Sequence, residues 1–253
     1  MLNPEPGLNP DEIEDLIGEK EIAKVPWTVA DVWLGVILLV PVSLVIWVIL
    51  YAAGLALTGL LGEGVPIYLQ IVSLGGATFI AGIGLAWWLG IKRRGGNPAN
   101  LGFTNLRLWF DATLAALSEI VVFIAWATYA LILLKLADLR VPEQPIIQSF
   151  GPTRIGFVMA VVSVAILAPI GEEVFFRGFV YTGLRRRWGA GKAMVISSSV
   201  FALFHLSPLL YVPMFIMGLV LAAIFEYRHS LAPNIILHAV NNFLALFVIY
   251  SRG

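Results

Sequence analysis

The sequence predicts an all-α fold, a polytopic transmembrane helical bundle of about seven helices with a range of six to eight. Three observations predict it. Hydrophobic residues make up 59% of the 253 residues and charged residues only 13%. Soluble globular chains have about 45–50% and about 25%, so this much apolar surface does not fit in one soluble core. The apolar residues also come in long runs, and about 20 of them in a helix cross the ~30 Å hydrocarbon layer of a bilayer. Finally, lysines and arginines concentrate in alternate connections between those runs, as the positive-inside rule requires.

In chain order, residues 1–30 read as an acidic cytoplasmic arm. Asn9 as N-cap, Pro10 at the first helical position and Ile13, Leu16 and Ile17 at helical spacing predict a short amphipathic helix. Asp11, Glu12, Glu14, Asp15, Glu19 and Glu21 stand where a signal peptide would be basic, so the arm is expected to be retained. Residues 31–253 read as one membrane domain without internal repeats or low-complexity linkers. The expected spans are 32–61, 66–91, 111–136, 155–184, 193–206, 209–227 and 231–250. The fifth is short enough for a re-entrant or protein-buried segment.

Orientation follows from the cations. Lys20, Lys24, Lys92, Arg93, Arg94, Arg107, Arg185, Arg186, Arg187, Lys192 and Arg228 fall on one side, and only Lys135, Arg140, Arg154 and Arg252 on the other. This predicts a multi-pass protein of the cell membrane with its N-terminus in the cytoplasm and its C-terminus outside. The 16 basic residues balance the 16 acidic ones, so nucleic acid is not an expected partner. The chain has no cysteine, which excludes disulfides, thiolate metal sites and a cysteine nucleophile.

An ionisable group at the centre of a span costs at least about 2.5–3.5 kcal/mol on the insertion scale, so each one needs a reason. They gather in the last third of the chain. The fourth span holds Glu172, Glu173 and Arg177, the fifth holds Phe201 and His205, and the seventh holds His238, Asn241 and Asn242. Glu173 and Arg177 are four apart on one helix face and predict an ion pair. Glu172 is turned ~100° from Glu173 and faces another neighbour. Phe201 with His205, and His238 with Asn242, repeat the four-residue spacing.

Depth brings these residues together. At ~1.5 Å per residue, Glu172 lies ~20 Å from Arg185, His205 ~20 Å from Lys192 and His238 ~15 Å from Arg228. If their helices pack, a carboxylate and two imidazoles meet near mid-bilayer. Such a set can activate water by removing a proton, with further donors stabilising an oxyanion. The same set can hold a metal ion with one carboxylate and two histidines. The residues alone leave both readings open.

The strings Glu172-Glu173-x-x-x-Arg177, Phe201-x-x-x-His205 and His238-x-x-x-Asn242 resemble the three motifs of the type II CAAX prenyl endopeptidases, also called the CAAX protease and bacteriocin-processing (CPBP, Abi) family. The motif-bearing core runs from about 155 to 250. The resemblance implies an all-helical core around a catalytic cavity within the membrane. It implies an intramembrane endopeptidase in which Glu172 and His205 activate the attacking water. His238 and Asn242 would support the oxyanion, and Glu173 with Arg177 would hold the site together. It favours a glutamate-type mechanism without a cofactor. Zinc is the second reading, with Glu172, His205 and His238 as its ligands. The expected partner is a membrane-anchored protein or peptide in the lipid bilayer, prenylated and CAAX-like in some members.

The alternative function is a non-proteolytic membrane immunity or scaffold protein that binds a membrane partner. A proton-relay transporter is a third reading, which the lack of an evident inverted repeat disfavours. Other polar residues read as structural. Ser197, Ser198 and Ser199 favour close helix packing, and His229 reads as a loop histidine. Glu226 and Arg228 read as an interfacial charge cluster with Tyr227 as an aromatic anchor. The Arg185–Arg187 run reads as a positive-inside stop. Glu119, inside the third span, either pairs with another helix or lines the cavity.

Overall fold

The computed structural model describes residues 25–61, 66–139 and 150–251. The amphipathic helix expected between Asn9 and Ile17 lies outside them. All regular structure among the described residues is helical. Helix α1 is Val29–Leu61, and α2 is Pro66–Ala86 with a π-helical extension Trp87–Lys92. A short 3-10 turn at Pro98–Leu101 precedes α3, Leu108–Ala137. Helix α4 occupies 154–188, α5 190–203, α6 Pro208–Arg228 and α7 Ala232–Tyr250.

Five helical stretches are long and apolar enough to cross a membrane: Val29–Leu57, Leu108–Ala137, Arg154–Leu203, Pro208–Arg228 and Ala232–Tyr250. The expected second span is helical as well, in α2. The fourth and fifth expected spans fall in the one stretch Arg154–Leu203, which Gly189 interrupts with φ 75° and ψ 169°. That conformation belongs almost exclusively to glycine, and it turns the chain back on itself. Phe176, thirteen residues before Gly189, meets Phe201, twelve residues after it, edge-to-face at 5.3 Å. Helices α4 and α5 therefore form an antiparallel hairpin, and the motifs of both face each other.

Close packing sets the rest of the core around the site. A Cβ on Gly171 would lie 2.6 Å from Phe79 Cα, so α2 can cross α4 at this point only over a glycine. A Cβ on Gly218 would lie 2.8 Å from Ser198 Cβ, which brings α6 equally close to α5. Small residues at such crossings are what helix association in lipid favours. The faces turned outward, with Ile37, Val45 and Ile49 of α1 and Leu117 and Phe123 of α3 exposed, suit contact with acyl chains rather than water.

The arginines meet at one end of the bundle. Arg94 pairs with Asp31 at the start of α1 at 2.9 Å, and Arg186 donates to the Val25 carbonyl at 2.6 Å. The expected Glu226–Arg228 cluster divides between two neighbours. Glu226 pairs with Arg185 at 2.6 Å, while Arg228 pairs with Asp111 at 2.7 Å. These residues flank helix ends that the cation count assigns to a common side. Tyr227 projects outward.

Candidate active site

The site grows from an irregular part of α4. Its backbone is π-helical at Val161–Leu167, α-helical at Ala168–Glu173 and π-helical again at Val174–Tyr181. Such π-bulges frequently accompany functional sites because they shift side chains out of strict helical register. Here they flank the α-helical turn that carries Glu172 and Glu173, whose adjacent positions point the two carboxylates ~100° apart.

Glu173 is fully buried, and it is the hub of a polar network. Its Oε1 accepts from Arg177 Nη1 at 2.7 Å and from His238 Nδ1 at 2.9 Å. Its Oε2 accepts from Asn234 Nδ2 at 3.4 Å. Arg177 is completed by the Gly218 carbonyl at 3.4 Å and by the Phe201 ring, whose centroid lies 4.4 Å from Cζ. A buried arginine requires this kind of neutralisation and donor satisfaction. The expected Glu173–Arg177 pair is therefore present, and it also holds His238. An ionised carboxylate only accepts, so the proton between Glu173 and His238 sits on Nδ1.

Glu172 faces the other way, with 19% of its side chain exposed. It lines a cavity of about 690 Å³ together with His205, His238 and Asn242. Its Oε2 is buried, has no hydrogen-bond partner among the described residues, and lies 3.8 Å from His238 Nε2. The remaining wall is mostly apolar, with Leu39, Val40 and Leu44 from α1, Phe176 from α4, Phe204 and Leu206 from the α5–α6 connection, and Pro208 at the start of α6.

His205 does not lie inside a helix as the sequence suggested. Helix α5 ends at Leu203, and His205 occupies the following turn, ahead of Leu206 with φ 52°. The turn is legible in hindsight from Pro208, which opens α6 at its first position. His205 Nδ1 lies 3.0 Å from the Phe201 carbonyl. A carbonyl oxygen only accepts, so Nδ1 carries the proton and Nε2 keeps its lone pair. The two rings, four residues apart, touch edge-on at 4.8 Å.

Asn242 also links two helices, as polar residues in membrane spans often do. Its Nδ2 donates to the Val164 carbonyl at 2.8 Å, in the first π-helical segment of α4. One amide proton is thus committed to backbone, and its second N–H remains for the cavity. Asn234, which ties Glu173 to the Leu221 carbonyl at 2.7 Å, is a supporting residue that sequence reading missed. The signal was present, since a polar residue four positions before His238 shares its helix face.

All six expected residues are thus brought together, four on the cavity wall and two behind it. Among the described residues, however, no three His, Asp or Glu side chains are grouped so as to hold a metal ion. Both histidines engage an oxygen through Nδ1, which leaves Nε2 as the nitrogen of each ring available to the cavity.

Residues 154–244 match a protein-family model described as type II CAAX prenyl endopeptidase, Rce1-like. The matched segment covers a little over a third of the chain and includes all three motifs. No curated protein and no solved structure matches the chain.

Proposed function

With the motif-bearing core of this multi-pass membrane protein matching the CAAX protease family, we propose that it is an intramembrane endopeptidase hydrolysing a peptide bond in membrane-anchored, CAAX-like substrates. The observation that carries the reading is the buried, unpartnered Glu172 Oε2 facing the same cavity as His205, His238 and Asn242. A carboxylate oxygen with no hydrogen-bond partner among the described residues is free to accept a proton from a water bound in the cavity.

In this mechanism Glu172 takes a proton from water as its oxygen attacks the scissile carbonyl. His205 Nε2 accepts a second hydrogen bond from that water and orients it. The free N–H of Asn242 donates to the oxyanion that forms, and His238, oriented by Glu173, supports it from the same cavity wall. Glu173 accepts from His238 Nδ1 and fixes the orientation of the ring, and Arg177 holds Glu173 in place. The proton held by Glu172 then passes to the amine as the C–N bond breaks. No step requires a metal ion. The family match favours this reading over the non-proteolytic immunity or scaffold role.

The test compares membrane-protein termini by mass spectrometry in host cells carrying wild-type protein or Glu172→Ala at equal abundance. New termini are expected only with wild type. On a fluorogenic, farnesylated peptide ending in a CAAX box, Glu172→Ala is expected to lower kcat by about 10²–10⁴-fold, the usual contribution of a general base. A monodisperse Glu172→Ala protein that still cleaves at the wild-type rate would sink the mechanism. Chelation is expected to leave the rate within about twofold of the untreated enzyme, whereas zinc-reversible loss would restore the metal reading.

A further inference from the structure

Glu119 is an acidic residue midway along α3 that this mechanism does not use. It sits on α3, a peripheral helix whose Leu117, Ile120, Phe123 and Ile124 are all more than half exposed. A carboxylate at that depth is costly, and an apolar residue would serve lipid contact better. Yet Glu119 turns inward to α7. Its Oε1 accepts from Asn241 Nδ2 at 3.1 Å, and its Oε2 is buried without a hydrogen-bond partner among the described residues.

Asn241 is the immediate neighbour of Asn242, which lines the cavity and donates to Val164 of α4. Adjacent residues point ~100° apart around a helix. The two asparagines therefore hold α7 from two sides, one through α3 and one through α4. His238 shares the face of Asn242, one turn earlier. A rotation of α7 that breaks the Glu119–Asn241 bond also swings His238 and Asn242 relative to Glu172.

We propose that Glu119 is a positioning residue, which through Asn241 fixes the rotation of α7 and so the direction in which His238 and Asn242 face the cavity. The inference rests on the peptidase reading above. It explains why a lipid-facing helix carries an inward-turned acid, and why that acid meets the residue beside Asn242.

The test measures kcat and KM of wild type, Glu119→Leu, Glu119→Gln, Asn241→Leu and the Glu119→Leu/Asn241→Leu double variant on the farnesylated CAAX peptide. Glutamine retains an oxygen able to accept from Asn241. Each leucine variant is expected to lower kcat about tenfold with KM within about twofold, because small misplacements of catalytic groups cost rate rather than binding. The double variant is expected to be no slower than either single one, since both break one link. Glu119→Gln is expected to keep near-wild-type kcat. Asn241→Leu tests the same link from α7 if Glu119→Leu does not fold. Unchanged kcat in the leucine variants, additive losses in the double variant, or a Glu119→Gln as slow as Glu119→Leu would each overturn the proposal. A wild-type protein that cleaves nothing overturns the peptidase reading and this proposal with it. A wild type that cleaves while the leucine variants keep its kcat overturns the proposal alone.

Discussion

Glu172 and Glu173 are adjacent in sequence yet have opposite surroundings, which makes them separable by experiment. Glu173 is enclosed by Arg177, His238 and Asn234, whereas Glu172 faces the cavity with a bare oxygen. Removing Glu173 leaves the buried Arg177 without its counter-charge, a change that costs about 3–5 kcal/mol where it has been measured. Glu173→Ala is therefore expected to lower the thermal unfolding midpoint in detergent markedly, with Glu172→Ala near wild type. Scanning fluorimetry on the two variants and wild type checks this. Equal midpoints for both would contradict a structural role for Glu173. The division was legible in the sequence to the extent that a four-residue spacing pairs Glu173 with Arg177 and leaves Glu172 on another face. The links from Glu173 to His238 and Asn234 were not, because periodicity gives a residue's face but not the distant helix that packs on it.

At the scale of the element, the hairpin of α4 and α5 decides whether the motifs meet. Its turn depends on Gly189, whose φ of 75° and ψ of 169° bring Phe176 against Phe201 and the Phe201–His205 pair toward the Glu172 side of α4. A side chain at such a backbone position costs on the order of 1–3 kcal/mol. No neighbouring atom lies within 4 Å of a Cβ built there, so the cost is conformational and not steric. Gly189→Ala is expected to lower the unfolding midpoint and, by displacing His205, to reduce kcat more than it raises KM. An alanine variant with wild-type stability and kcat would show that the turn tolerates another geometry. The break between the fourth and fifth spans was readable from the basic run of Arg185, Arg186, Arg187 and Lys192. The end of α5 before His205 was not read from the sequence, because the Phe-His-Leu segment is apolar enough to continue a helix and only Pro208 argues against it.

For the whole molecule, the cation count and the folded structure agree on which helix ends belong together, and this makes the orientation testable. Arg94 with Asp31, Arg186 with Val25, Arg185 with Glu226, and Arg228 with Asp111 join the start of α1, the end of α2, the start of α3, the end of α4 and the end of α6. An antiparallel chain can bring these ends together only if they lie on one side of the bilayer. The positive-inside rule predicts that this side is cytoplasmic, with the end of α7 at Tyr250 opposite. The chain contains no cysteine, so a single introduced thiol is an unambiguous reporter. Arg187→Cys and Ser251→Cys both fall at exposed positions. In right-side-out membrane vesicles, a membrane-impermeant maleimide is expected to label Ser251→Cys directly and Arg187→Cys only after permeabilisation. The reverse pattern would place the basic end outside.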